Sequence, residues 1–129
     1  TVLKHRTPAT IRAPFAKYVH AVEVPAGMRL VFLSGQLGIG PDEAVPEGAE
    51  AQSARCFENI AAVLADSGAD FSALVRLNAF VTHRDHLAGY MAARDRFVAD
   101  PPPASTLMIV GGFTREAFVV EVEAIAAVA

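Results

Sequence analysis

The chain has 129 residues, 53 % of them hydrophobic and only 19 % charged. That is one domain by the usual measure of roughly 100–200 residues, and a fold this small hides only about two-thirds of its unfolded surface. The apolar excess therefore predicts a surface patch covered by another subunit. Eleven basic against fourteen acidic residues give a net charge of −3, which excludes a broad nucleic-acid-binding surface built from clustered Lys and Arg. Apolar stretches such as Leu30–Leu33 and Ile125–Ala129 fall far short of the roughly 20 residues that cross a bilayer. With a single cysteine, Cys56, and no secretory pattern around Lys4, His5, Arg6 and Arg12, a cytoplasmic protein without membrane contact is expected.

Residues 1–14 are turn-rich, with Pro8 and Pro14. Tyr18–Val24 alternates as a strand, Pro25-Ala26-Gly27 turns the chain, and Arg29–Ser34 makes a more buried strand. Gly35–Gly48 is a loop. A helix follows over 49–67, with Cys56, Ile60, Val63 and Leu64 on one apolar face beside Phe57, and Gly68 stops it. Leu74–Thr82 reads as a third strand. Asp85 caps a second helix running to about Ala99, ended by Pro101-Pro102-Pro103. Thr106–Val110 and Ala117–Ala127 complete the set. The order β-β-α-β-α-β-β is an α+β, two-layer arrangement, a mixed sheet with two helices on one face. The other sheet face is left bare, and because the strands are apolar on both faces (Val119, Val120, Val122, Ile125) a partner subunit in a closed ring is expected to cover it.

Few residues carry chemistry. Ser34-Gly35-Gln36 ends a buried strand and opens a loop containing Gly38 and Gly40, but Pro41-Asp42-Glu43 stands where a dinucleotide fingerprint needs a helix. The remaining use is a pocket lined by Ser34 and strand-end backbone. Glu121 and Glu123 alternate with Val120, Val122 and Ala124, so both carboxylates share one face. They either pair with Arg76 or Arg29 at a solvated edge, or one of them orients a water or a polar ligand. His83 and His86 have HxxH spacing without a third ligand nearby, so no metal is expected. Cys56 on the apolar helix face packs rather than reacts.

The motifs SGQ at 34–36, the GxGPD loop after it, EAQ and ENIAAVL within 50–64, Val75–Thr82, PPPAS at 101–105 and VEVEAIA at 120–126 together resemble the RidA/YjgF family over essentially the whole chain, 1–129. The resemblance implies a chorismate-mutase-like fold, a homotrimer with ligand pockets in the clefts between subunits, and cofactor-free hydrolysis of reactive enamines and imines. It implies Glu121 as the catalytic carboxylate that places water, and Phe15, Ser34, Gly35, Ser105 and Thr106 as substrate-binding residues. Two positions depart from the family pattern. Phe15 stands in place of a tyrosine, and Ser105 in place of the arginine that grips a substrate carboxylate, which removes a bidentate, charge-assisted contact. Arg115 or Arg94 could replace it only by reaching into the cleft. Two functions follow from the resemblance: a hydrolase for small imine- or enamine-like compounds lacking an essential carboxylate, and a non-catalytic metabolite-binding or regulatory trimer. A ribonuclease is disfavoured by the acidic charge and the lack of a basic-aromatic stripe.

Overall fold

The computed structural model describes residues 2–129. Its elements are β1 (Lys4–Arg6), β2 (Ala21–Glu23), β3 (Arg29–Leu37), α1 (Ala49–Asp66), β4 (Leu74–Val81), α2 (Leu87–Phe97), β5 (Ala104–Ile109) and β6 (Val120–Val128). The main sheet has four strands in the order β3-β6-β4-β5. β6 runs antiparallel to both neighbours, while β4 and β5 are parallel and joined through α2, so the sheet is mixed with both helices on one face.

The amino-terminal region differs from the sequence expectation. Residues 1–14 are not all turn, because Lys4–Arg6 pairs with Ala21–Glu23 as a separate two-stranded sheet, tied by the Arg6–Glu23 ion pair at 3.0 Å. The Ala21–Glu23 part of the expected 18–24 strand therefore lies outside the main sheet, which the segment meets through the Val19–Ala104 bridge to β5.

The core fills the space between helices and sheet. From α1 come Cys56, Phe57, Ile60 and Leu64; from the sheet come Leu33, Leu77, Ala79, Val81, Val120, Val122, Ala124 and Ala126. Phe57 anchors an aromatic cluster, stacked on Phe97 at 5.5 Å and tilted against Tyr90 and Phe71. Met91 and Phe97 pack against this core. Val63 does not; it lies on the flank of the helix and stays exposed. Gly68 stops α1 with φ of 74°, a left-handed conformation that only glycine adopts cheaply, and the Ala69 N–H closes the end on Leu64 O at 2.8 Å.

The cap of the second helix is also reassigned. Asp85 caps nothing; its N–H donates to His83 Nδ1 at 3.0 Å, opening a 3₁₀ turn, Arg84–His86, that leads into α2. Among the described residues, no helix is long and apolar enough to cross a membrane.

The bare sheet face exists and carries Ile125, but not Val120 or Val122. Val120 and Val122 are fully buried under the helices. The register puts Leu30 and Phe32 of β3, Arg76, Asn78 and Phe80 of β4, Thr106 and Met108 of β5, and Glu121, Glu123 and Ile125 of β6 on the opposite side. Leu30, Phe32 and Met108 are 52 %, 71 % and 53 % exposed there, which is costly for large apolar side chains.

Candidate functional site

The strongest local feature is where β3 meets β6. Leu33 pairs with Ala124 and Gln36 with Val122, so Ser34 and Gly35 together oppose the single residue Glu123, a two-against-one bulge. Gln36 Nε2 donates back to Ser34 O at 3.1 Å and closes the step. Beside it, Glu121 lays its carboxylate on the backbone of Gly35: a Cβ at residue 35 would sit 2.6 Å from Glu121 Oε1. Only a glycine leaves that room.

Helix α1 holds this end of β3 in place. Asn59 Nδ2 donates to Leu37 O at 3.3 Å and to Ile39 O at 3.2 Å. Gln52 is buried and does more. Its Nε2 donates to Pro46 O at 3.1 Å and Ala117 O at 2.8 Å, while its Oε1 accepts from Val119 N at 3.0 Å. One side chain therefore ties the loop before α1 to the segment that leads into Glu121. Gly38 packs on Gln52, where a Cβ would come within 2.7 Å of its side chain. Nothing in the composition of the α1 pattern singled out Gln52; a polar residue at a core-facing helix position was the available signal.

Cys56 lies fully buried under this end of the sheet. Burial, and after it the charge of Glu121, pushes its thiol up from 9.0 to about 12. A thiol so far from ionisation is no nucleophile at neutral pH, which fits the packing role expected of it.

The other expected residues sit elsewhere in the chain. Thr106 is on the open face of β5 in the row of Asn78 and Glu123. Ser105 is paired with Leu77, which places it on the helix side of the sheet. Phe15 is exposed, with the Arg12 guanidinium 3.6 Å above its ring and its N–H donating to the Tyr18 hydroxyl at 3.2 Å. The same segment bridges to β5 through Val19 and Ala104. Ser34, Gly35 and Glu121 thus gather at the β3–β6 edge, whereas Phe15, Ser105 and Thr106 belong to the β5 edge. β3 and β5 are three strand spacings apart, about 14 Å.

Neither alternative arginine stands at Ser105. Arg94 is 4 % exposed, held by Asp95 Oδ1 through Nε at 3.1 Å and Nη2 at 2.9 Å. Arg115 extends from an exposed loop over the Phe118 ring at 5.6 Å. The carboxylates of β6 make no ion pair with Arg76 or Arg29 among the described residues. Instead Glu123 Oε1 accepts from Asn78 Nδ2 at 3.0 Å, and Arg29 Nη2 donates to Ala129 O. No group of three or more His, Cys, Asp or Glu gathers among the described residues in a way that would hold a metal.

The same fold occurs in known proteins. A Rid-family protein from Yersinia pestis superposes with a TM-score of 0.83 over 99 % of this chain and 100 % of its own, at 23 % identity, a likeness of fold. RidA from an Antarctic Psychrobacter matches at 30 % identity and a TM-score of 0.73 over 90 % and 92 % of the two chains. The protein DfrA of Myxococcus xanthus is 40 % identical over 111 residues, 84 % of this chain and 83 % of that one. The fold is the chorismate-mutase-like fold of the Rid/YjgF proteins. The family described as Endoribonuclease L-PSP matches residues 9–128, and on that match the chain belongs to this family, the RidA/YjgF proteins.

Proposed function

We propose that the protein binds small metabolites in clefts between the subunits of a homotrimer and hydrolyses imines, enamines or related carbonyl-type compounds there without a cofactor. The observation that carries this reading is the division of the polar residues between two edges of one sheet. Ser34, Gly35 and Glu121 form one half-site, and Thr106, with Phe15 and the helix-side Ser105 at the same edge, the other; β3 and β5 lie three strand spacings apart, about 14 Å. Two copies set side by side on their open apolar faces bring unlike edges together. Concave sites with a few convergent polar groups are the usual form of a metabolite pocket.

In that cleft Glu121 acts as the general base that takes a proton from water as it adds to the imine carbon, and it returns the proton to the departing nitrogen. Its contact with Gly35 fixes where the carboxylate points. Ser34, exposed at the bulge, and Thr106 from the neighbouring edge supply hydroxyls for a polar substrate. Ser105 offers no cation, which favours substrates that do not depend on a carboxylate anchor.

The test is hydrolysis of imines generated in situ from a panel of amines and amino acids. Glu121→Ala is expected to lose at least 100-fold in kcat/KM; activity equal to the parent's would reject the mechanism. A second reading, a metabolite-binding trimer without catalysis, is favoured by Ser105 itself, because the two arginines expected to replace the missing one, Arg94 and Arg115, are engaged elsewhere. It predicts ligand-induced stabilisation with no turnover, and carboxylate affinity on Ser105→Arg.

A further inference from the structure

The open sheet face carries charges that its own chain leaves unpaired. Arg76, half-buried on β4, donates from Nε to Asn78 Oδ1 at 2.9 Å and from Nη2 to Thr106 Oγ1 at 2.6 Å, both neutral acceptors. Glu123 on β6 accepts from the other end of the same amide, Asn78 Nδ2. Among the described residues no carboxylate lies within 4.0 Å of Arg76 and no cation within 4.0 Å of Glu123. A cation and an anion on adjacent strands are thus kept apart by one side chain, and Arg76 Nη1 and Glu123 Oε2 have no partner among the described residues.

The surroundings say what completes them. Leu30, Phe32, Ile125 and Met108 share the face, and Arg76 is its one cation: Arg29 falls on the opposite parity with Val31, and Glu121 is turned against Gly35. A face this apolar is covered in the assembly, and covering it strips water from both charges. An ion left unpaired under such a cover is strongly disfavoured. Ring-forming interfaces are heterologous, each joining one patch to a different patch of the next copy. A face that presents one free cation and one free anion is complementary to itself under that operation.

We infer that Arg76 of each subunit pairs with Glu123 of the partner subunit, so that this polar island sets the register of an otherwise slippery apolar interface. The inference rests on the homotrimer reading above, and its test separates the two. Molar mass of the parent by light scattering comes first: a monomer at micromolar concentration rejects both. Given a trimer, Arg76→Gln and Glu123→Gln each raise the dissociation midpoint at least tenfold, with an unchanged far-ultraviolet spectrum. Midpoints within twofold of the parent overturn the pairing while leaving the trimer intact. They would assign the two charges to a free zwitterion, such as an amino acid, spanning them within one chain.

Mixing decides whether the pair is between chains. Arg76→Glu and Glu123→Arg each place like charges on every face, so each alone dissociates. Combined in equal amounts, they form mixed trimers in which two of three contacts join opposite signs. Failure of the mixture to reassemble, with both variants folded, overturns the inference.

Discussion

Glu121 rests its carboxylate on the Cα of Gly35, in a space that a single added methyl group would fill, 2.6 Å from Oε1. The contact joins a bulge on one strand to a carboxylate on the next, and it makes Gly35 a test of the proposed site. Gly35→Ala is expected to push Glu121 away and to destabilise the fold by about 1–3 kcal/mol, the usual cost of overpacking. Thermal unfolding measures the first effect. Imine hydrolysis measures the second, and should fall to the level of Glu121→Ala; an active Gly35→Ala would mean that the carboxylate position does not matter.

Gln52 links three backbone groups that no other residue satisfies in the same way. Gln52→Leu keeps the volume and leaves Pro46 O, Ala117 O and Val119 N without it. Stranded buried groups cost about 1–3 kcal/mol each, and partial access to water reduces the sum to about 2–4 kcal/mol. Urea unfolding should show this as a lower midpoint at unchanged slope.

The two sheet faces respond differently to charge. Val122→Asp buries a carboxylate beneath the helices and should unfold the chain. Phe32→Asp, on the open face, should leave a cooperative thermal transition and lower the molar mass in solution. If both variants lose the fold, the open face is needed by the single chain as well as by an assembly.

Alkaline pH should destabilise the protein. The Cys56 thiol is raised from 9.0 to about 12 by burial and then by Glu121. Tyr90 is raised too, mainly by burial and against the opposing effect of Arg94. Both groups stay neutral when folded and ionise first in the unfolded chain. Their contribution is complete below pH 9 and is lost as pH climbs toward 12. Chemical unfolding at pH 8 and pH 10.5 should show the fall, and Cys56→Ala should flatten it. Tyr90→Phe should flatten the upper part, since the buried hydroxyl has no hydrogen-bond partner among the described residues.

Much of this architecture can be read from the sequence because burial writes a period into it. The 18-residue helix α1 and strands β4 and β6 have clear apolar spacing, and Glu121 and Glu123 share the face that alternation requires. The misreadings have one cause: periodicity tells which residues lie together but not which layer covers them. Val120 and Val122 are apolar enough for either face, and only the helices overhead decide. The Tyr18–Val24 segment has strand character, but nothing in its own pattern says that Ala21–Glu23 pairs with Lys4–Arg6 while Val19 meets β5. Sequence order likewise groups Ser34, Ser105 and Glu121 by motif, whereas strand order β3-β6-β4-β5 sends them to different edges. Gln52 and Arg76 leave no motif at all, because what matters about them is the backbone and side chains they meet across the fold.

The bulge at Ser34–Gly35 changes the phase of its strand. Before it, even-numbered residues such as Phe32 face outward; after it, Gln36 turns under the helices and Leu37 outward beside Glu121. Removing one residue there would restore one-to-one pairing, with a single residue opposite Glu123 and Gln36 still opposite Val122. The faces downstream would stay as they are. The extra residue therefore serves the local backbone at Ser34–Gly35, where the Glu121 carboxylate rests, and not the pairing of the strand beyond it.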